Sequence, residues 1–246
     1  MLEINKIYNM DCLEGMKLID DKSIDMIFTD LPYGTTNCKW DSVIDLDKLW
    51  EQYCRIIKDN GAIVLFAQTP FDKVLGMSNL KMLKYEWIWE KTQATGHLNA
   101  KKMPMKAHEN ILVFYKKLPT YNPQKTTGHT PIHSYTKYVD TQNNTEIYGR
   151  MDREISGGGE TDRYPRSVIT FASDKQTSCL HSTQKPLALC EYMIKTYTNE
   201  GELVLDSCIG SGTTAVSCVN TGRNYIGFEK DKEYFDIAKK RIRKYQ

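Results

Sequence analysis

The sequence predicts an α/β fold with a doubly wound, mostly parallel sheet. Short apolar runs alternate with segments of helical periodicity over residues 1–90 and again over residues 181–246. The run AIVLFA at residues 62–67 is apolar throughout, as a strand covered on both faces requires. Strands that alternate with helices form parallel sheets through right-handed crossovers. The two regular parts of the chain therefore predict two parts of one sheet domain.

The elements of the first part follow from apolar spacing. In the segment 45–61, Leu46, Leu49, Trp50 and Tyr53 recur at helical spacing, and Gly61 has the position of a stop signal. The predicted helices are residues 12–19 and 45–61, and the predicted strands are residues 5–11, 24–30, 62–67, 85–91 and 109–117.

The last part is equally regular. Residues 185–198 predict a helix, and residues 201–222 predict a strand, a glycine-rich turn and a helix. RNYIGFEKD reads as a strand that ends near Glu229, and residues 232–245 predict a closing amphipathic helix.

The middle of the chain has a different character. Residues 92–108 and 118–180 are rich in Thr, Gly, Asn, Pro and Tyr and show little periodicity. Between residues 91 and 186 there are 14 Lys and Arg against 8 Asp and Glu, although the whole chain carries only +2. The tyrosines argue against simple disorder. We predict a domain in two parts, 1–91 and 181–246, interrupted by an insertion at 92–180 from which strand 109–117 returns to the sheet.

Composition excludes several protein classes. The N-terminal sequence lacks the pattern of a signal peptide, and no apolar run approaches the roughly 18 residues of a membrane span. The seven cysteines are scattered without a C-x-x-C pair, which argues against a disulfide framework and a thiolate zinc site. We therefore expect a cytoplasmic protein without a metal.

The strand Ile24–Asp30 ends in an unusual way, because Asp30, Leu31, Pro32, Tyr33 and Gly34 follow its apolar run directly. In an open parallel sheet, ligands bind just beyond the carboxyl ends of the strands. A carboxylate, a proline, an aromatic ring and a glycine at this place indicate a binding site rather than a connection.

A second loop has the features of a nucleoside pocket. In LVLDSCIGSGTT a strand runs into Gly210, Ser211 and Gly212 and then into a helix start, where backbone N–H groups are free to meet a ligand. The spacing matches neither a dinucleotide fingerprint nor a phosphate-binding P-loop. Glu229 ends the next strand, where a carboxylate can accept both hydroxyls of a ribose. The two features together predict a pocket for a nucleoside cofactor without phosphates.

Several segments resemble the S-adenosylmethionine-dependent amino-methyltransferases that act on DNA. DLPY at residues 30–33 resembles their Asp/Ser/Asn-Pro-Pro-Tyr/Phe tetrapeptide, and DSCIGSGTT at 206–214 resembles Asp-Pro-Phe-x-Gly-Ser-Gly-Thr-Thr. HSTQKP at 181–186 is similar to His-Pro-Thr-Gln-Lys-Pro, YNMDCLEGM at 8–16 to the opening Gly-Asp-Cys-Leu-Glu, and HENILVFYKK at 108–117 to a later strand. Their order resembles the permuted β group of the family. Leu31 stands where the family has a proline, but the implied role there needs only a backbone carbonyl.

The resemblance implies a seven-stranded Rossmann-like methyltransferase sheet, S-adenosylmethionine as cofactor and no metal. The catalytic residues that it implies are Asp30, Leu31, Pro32 and Tyr33, with Asp30 and the Leu31 carbonyl accepting the N–H groups of the target amine and Tyr33 stacking on the extruded base. The implied cofactor-binding residues are Asp11, Cys12, Asp30, Lys185, Asp206, Cys208, Gly210, Ser211, Gly212, Thr213, Thr214 and Glu229. Gln184 would help Lys185 to close that pocket. The insertion would recognise DNA, with phosphate contacts from Lys101, Lys102, Arg150, Arg153, Arg163 and Arg166.

An aspartate at position 30 resembles the enzymes that methylate adenine N6, whereas the cytosine-N4 enzymes more often have serine there. Adenine in double-stranded DNA is therefore the expected target. Cytosine-N4 methylation, RNA adenine methylation and a catalytically idle DNA-binding relative remain the alternatives. A small-molecule methyltransferase explains neither the basic insertion nor the Asp-Leu-Pro-Tyr loop. A homodimer and an accompanying restriction endonuclease are further partners that the resemblance raises without deciding.

Overall fold

The computed structural model describes residues 2–34, 43–131, 160–174 and 184–245, and the backbone of four short strands between residues 135 and 157. Within these residues eight strands form one sheet: β1 (Lys6–Asn9), β2 (Ile24–Asp30), β3 (Ile57–Ala67), β4 (Leu83–Thr95), β5 (Lys106–Phe114), β10 (Val168–Phe171), β11 (Leu203–Asp206) and β12 (Asn224–Glu229). The described helices are α1 (Cys12–Met16), α2 (Leu46–Ile56), α3 (Phe71–Ser78), α4 (Leu187–Tyr197), α5 (Thr213–Asn220) and α6 (Lys232–Ile242).

The strand order across the sheet is β1-β12-β11-β2-β3-β5-β4-β10. Neighbouring strands run parallel except at β5, which is antiparallel to both β3 and β4. Strands β2, β11, β12 and β1 therefore end at the same edge of the sheet. The segments that follow these four strands meet there.

The core lies on both faces of the sheet because successive strand residues point in opposite directions. Ile27 belongs to a core cluster with the residues of α1, α2 and α3, whereas Phe28 belongs to a second cluster with α4 and α5. Residues 62–67 are all buried, which explains why that segment is apolar without alternation. The three-layer arrangement confirms the predicted α/β, doubly wound fold.

Two predictions about elements are corrected. Within the described part of the chain the sheet has eight strands rather than seven, since β10 pairs with the outer side of β4. Gly61 is not a helix stop: α2 ends at Ile56, and Gly61 lies inside β3, where an added Cβ would stand 2.7 Å from the Asp25 carbonyl oxygen. The glycine is required there because β2 and β3 shift register beside it. Helix α3 was not predicted from the sequence.

Residues 123–165 form a compact unit separate from the sheet domain. It contains two antiparallel pairs, β6 (Tyr135–Asp140) with β9 (Arg153–Gly157) and β7 (Asn144–Thr145) with β8 (Gly149–Arg150). The unit lies inside the predicted insertion 92–180. The described residues on either side of it, up to 122 and from 166, belong to the unit that contains the sheet. The role of 92–180 in target recognition stays a prediction.

None of the described helices is long and apolar enough to cross a membrane.

Tyr197 offers a test of the packing between α4 and the sheet. Its buried hydroxyl accepts a hydrogen bond from Trp87 Nε1 at 2.7 Å and pairs with the Tyr85 hydroxyl at 2.9 Å. Tyr197→Phe leaves the buried Trp87 N–H without an acceptor, so we expect the free energy of unfolding to fall by about 1–3 kcal/mol. Urea unfolding measures this change. The control Tyr245→Phe removes an exposed hydroxyl, and an equal loss in both variants would contradict the prediction.

Candidate active site

A cavity of about 590 Å³ opens at the edge where β1, β2, β11 and β12 end. Asp11 follows β1, Asp30 ends β2, Asp206 ends β11 and Glu229 ends β12, and all four line the cavity. The carboxylates are far apart in sequence but come together because parallel strands present their carboxyl ends to one edge. Of the predicted catalytic and cofactor-binding residues, only Tyr33 and Gly212 do not line it.

Asp206 organises the glycine-rich loop after β11. Its Oδ1 accepts a hydrogen bond from the Cys208 N–H at 3.0 Å, and its Oδ2 accepts one from the Thr214 hydroxyl at 2.6 Å. Burial raises the pKa of Asp206 to about 7, although these two donors act in the opposite direction. Gly212 has φ of 82°, a conformation that favours glycine, and caps α5. The carboxylate therefore closes the loop from strand end to helix start.

Glu229 joins the same loop to the next strand. Its Oε2 accepts a hydrogen bond from the Gly210 N–H at 2.9 Å, and its Oε1 accepts one from the Asp231 N–H at 2.8 Å. Burial raises the pKa of Glu229, and the backbone donors partly offset this effect. Each carboxylate oxygen has two lone pairs, so both oxygens keep acceptor capacity toward the cavity.

Arg241 of α6 supports the loop from behind and was missed from the sequence. The buried guanidinium donates to the Thr213 hydroxyl at 2.8 Å and to the Ser211 hydroxyl at 3.2 Å. It also donates to the Ser211 carbonyl at 3.3 Å. An arginine on an amphipathic helix normally reads as a solvent-exposed residue, so the sequence contained no signal for this contact.

The segment that follows β1, residues 10–13, also lines the cavity. Asp11 caps α1 by accepting a hydrogen bond from the Leu13 N–H at 2.9 Å, and it pairs with Lys230 at 3.2 Å. The thiols of Cys12 and Cys208 influence each other across the two loops: Cys208 lowers the pKa of Cys12, and Cys12 raises the pKa of Cys208. The structure thus brings together the predicted cofactor-binding residues of two distant segments.

Asp30 is held on both carboxylate oxygens. The Tyr33 hydroxyl donates to Oδ1 at 2.6 Å, and the Lys185 ammonium donates to Oδ2 at 2.5 Å. The Tyr33 ring stacks on Phe71 with 5.1 Å between centroids, so one of its two faces is already covered. Burial opposes the charge of Lys185, but the carboxylates of Asp30 and Glu109 outweigh it and raise the pKa of Lys185. Asp30 therefore faces the cavity as a fixed, paired carboxylate.

Gln184 is the one cavity residue whose whole side-chain amide is buried without a partner among the described residues. Both Nε2 and Oε1 lack a hydrogen bond from the part of the chain that the structure describes. A buried amide left in this way costs free energy unless a ligand or water meets it. Its place on the cavity wall indicates a ligand with both a donor and an acceptor.

The predicted DNA-contact residues lie in different parts of the chain. Lys101 and Lys102 are exposed in the connection between β4 and β5. The Arg163 guanidinium instead donates to the carbonyls of Thr130, Glu160 and Asp162 within the 123–165 unit. Arg166 is exposed, and Arg150 and Arg153 lie on β8 and β9, where only the backbone is described. Phosphate contacts by these six residues stay predictions. His181 and Ser182 of the HSTQKP segment lie outside the described residues.

Comparison with known proteins gives a consistent result. A family model described as DNA methylase, for the N6 and N4 methyltransferases, matches residues 24–240. The chain belongs to this DNA methylase family. It is 30% identical to the type II methyltransferase M.HpaI of Haemophilus parainfluenzae, over 94% of this chain and 72% of that protein.

Two further proteins match almost the whole length of this chain. The DNA adenine methyltransferase YhdJ of Escherichia coli K12 is 26% identical over 98% of this chain and 83% of its own length. The crystal structure of the M1.HpyAVI–SAM complex superimposes with a TM-score of 0.64 and 26% identity, covering 96% of this chain and 98% of that one. The likeness confirms the Rossmann-like methyltransferase fold.

Asp206 gives this site a pH-dependent stability. Its pKa is raised to about 7 in the fold, so between about pH 4 and pH 7 the folded chain binds more protons than the unfolded chain. The free energy of unfolding should therefore fall as the pH rises through this window, by up to about 1.4 kcal/mol per pH unit, relative to Asp206→Asn. Denaturant titrations of both proteins from pH 4 to 7.5 measure the difference. The matched control is Asp20→Asn, which removes an exposed carboxylate. The prediction would be contradicted if Asp20→Asn changed the pH dependence of the free energy of unfolding as much as Asp206→Asn does.

Proposed function

We propose that the chain transfers a methyl group from S-adenosylmethionine to N6 of an adenine extruded from double-stranded DNA. The observation that carries this proposal is the shared cavity: Asp30 at the end of β2 opens into the same space as the 206–214 loop and Glu229. The carboxylate proposed to bind the amine and the wall proposed to bind the nucleoside therefore line one cavity. Its volume of about 590 Å³ is large enough for a ligand of cofactor size.

The cavity residues fit this cofactor. S-adenosylmethionine contains ribose hydroxyls, an adenine and an amino-acid group, and the wall offers the Glu229 and Asp11 carboxylates and the unpartnered Gln184 amide. These acidic and amide groups suit a ligand that carries hydroxyl and ammonium donors. The M1.HpyAVI structure, which matches 96% of this chain, is a complex with this cofactor. When bound, the cofactor supplies a methyl group on a positively charged sulfur, whose bond to carbon breaks as the amine nitrogen forms the new one.

Asp30 and Leu31 of this protein are proposed to position the target amine. The lone pair of an adenine amine is delocalised into the ring, so the nitrogen is a weak nucleophile until it is drawn toward tetrahedral geometry. The Asp30 carboxylate and the Leu31 carbonyl can each accept one N–H of the amine and hold the nitrogen toward the methyl group. The nitrogen carries a positive charge once the new bond has formed, and it then releases one proton to the solvent. Positioning and electrostatics supply the acceleration, because no covalent enzyme intermediate is needed.

The contacts of Tyr33 support a second role beside the one expected from the sequence. Its ring is stacked on Phe71 and its hydroxyl donates to Asp30, an arrangement suited to orienting that carboxylate. Stacking of a target base on its other face stays a prediction. A base in a duplex cannot reach Asp30, so it must be extruded at a cost of a few kcal/mol.

The hairpin formed by β4 and β5 supports a proposed position for the DNA. In the register of the sheet, Asp30 of β2 lies opposite Phe66 of β3, and Phe66 lies opposite Ile111 of β5. Strand β5 begins five residues before Ile111, at Lys106. At about 3.4 Å per residue, the hairpin projects roughly 17 Å beyond the level of Asp30. The connection at its tip carries Lys101 and Lys102, both exposed. A duplex lying over the cavity edge would meet these lysines.

Adenine is the proposed base because residue 30 is an aspartate, and because YhdJ, named a DNA adenine methyltransferase, matches 98% of this chain. We further propose that residues 92–180, including the 123–165 unit, recognise the target sequence. The homodimer, the companion endonuclease and the cytoplasmic location stay predictions from the sequence.

Replacing the carboxylate tests the reaction directly. Asp30→Asn keeps the shape of the side chain but loses the charge that draws the amine lone pair, so we expect kcat to fall by about a hundred-fold or more. The assay incubates protein and S-adenosylmethionine with mixed-sequence duplex DNA and identifies methylated nucleosides by mass spectrometry. Tyr33→Phe, which removes only the hydroxyl on Oδ1, should lose less. N4-methylcytosine would overturn the choice of base, and no product with both ligands bound would favour the RNA or idle-relative alternatives.

The hairpin lysines test the DNA path. Lys101→Ala/Lys102→Ala should weaken duplex binding and lower the slope of log K against log salt by up to about 0.9 for each lost phosphate contact. Fluorescence anisotropy at several salt concentrations measures this slope. Lys116→Ala/Lys117→Ala is the matched control, because those exposed lysines follow β5 at the opposite edge of the sheet. Equal slopes for the two double variants would contradict the proposed path.

A further inference from the structure

A row of buried charges lies behind Asp30. Lys185 is 2.5 Å from Asp30 and 3.3 Å from Glu109, and Glu109 is 2.6 Å from Lys91. The side chains of Lys91, Glu109 and Lys185 are only 10–13% exposed. Lys91 lies on β4, Glu109 on β5 and Lys185 just before α4, so three separate segments build the row. Its signs alternate from Lys91 to Asp30, and Lys185 and Asp30 are the two members of the row that line the cavity.

Such a row is costly to bury. Taking four charged groups out of water costs several kcal/mol for each, and buried ion pairs repay this cost only with good geometry. The Glu109 Oε2 atom lies 3.3 Å from the Lys185 ammonium but accepts no hydrogen bond within the described residues. Burial works against ionisation of Glu109, yet Lys185 and Lys91 outweigh it and lower the pKa of Glu109. A stability role alone gives no reason for an imperfect pair at this place.

We infer that Glu109 is a positioning residue of the methyl-transfer site: it offsets the Lys185 ammonium so that Asp30 keeps its negative potential toward the target amine. The inference rests on the proposed function. Glu109 touches neither the cavity nor Asp30 and acts through Lys185. Lys91 in turn holds Glu109 in place from β4.

The electrostatic need follows from the reaction. The amine nitrogen is neutral before transfer and carries positive charge when the new N–C bond has formed, until one proton leaves. A single ammonium on Asp30 would cancel the potential that favours this change. A carboxylate on the far side of that ammonium restores the potential, because at an effective dielectric near 20 charges several ångströms apart still interact by a few kcal/mol.

The test uses two variants and a matched control. In Glu109→Gln the row carries one excess positive charge, so we expect kcat to fall on the order of ten- to a hundred-fold, with KM for DNA and the Kd for S-adenosylmethionine within about two-fold of wild type. Lys91→Met/Glu109→Gln also removes the positive charge of Lys91, which otherwise adds to that of Lys185, so this double variant should recover part of the loss. The control is Glu86→Gln on β4, whose side chain is exposed, and it should match wild type.

A second readout does not depend on methylation. Reductive methylation with formaldehyde and a borohydride reports how often the Lys185 amine is free, and peptide mass spectrometry measures it. Lys185 should react several-fold faster in Glu109→Gln than in wild type or Glu86→Gln, because it has lost one of its two carboxylates.

The outcomes separate the two proposals. Unchanged kcat in Glu109→Gln, or a double variant no better than the single one, would overturn the charge-balancing role. Unchanged labelling of Lys185 would overturn the contact itself. A wild-type protein that methylates no DNA would refute the proposed function, and the labelling would still decide whether Glu109 holds Lys185.

Discussion

Parallel pairing of β2, β11, β12 and β1 is the constraint on which the site depends. Strands β2, β11 and β12 are mostly apolar along their buried length and each ends in a carboxylate, so these polar ends lie at the sheet edge. Parallel pairing directs all of the ends to one edge. Asp30, Asp206 and Glu229 therefore converge on one cavity without any contact that is specific to their own side chains.

Once they converge, the three carboxylates are distinguished by their partners. Asp206 accepts hydrogen bonds from a hydroxyl and a backbone N–H, and its raised pKa reflects burial. Glu229 accepts two backbone N–H groups and remains open to the cavity. Asp30 alone is paired with a buried ammonium. The same chemical group thus closes a loop, keeps acceptor capacity toward the cavity or is fixed by an ion pair, because the environment of each differs.

Local patterns identified the site residues within short segments, although not the hydrogen bonds between them. Asp30 and Tyr33 are three residues apart, and their hydrogen bond lies within one loop. The bond from Thr214 to Asp206 likewise spans one turn from strand to helix. Contacts between segments had no such signal: Lys185 meets Asp30 across 155 residues, and Arg241 reaches Thr213 across 28. Gly61 was misread because the close approach of Asp25 depends on strand pairing, which periodicity does not report.

The sequence by itself determined the fold class, the strands that end in carboxylates and the family to which the chain belongs. These features depend on apolar periodicity and on residues adjacent in the chain, so they can be read without coordinates. The tertiary structure alone decided which charges meet behind Asp30, which arginine supports the glycine-rich loop and how far the β4–β5 hairpin projects. Those contacts form between side chains from different strands and helices, and only packing of the sheet with its two helix layers brings them within bonding distance.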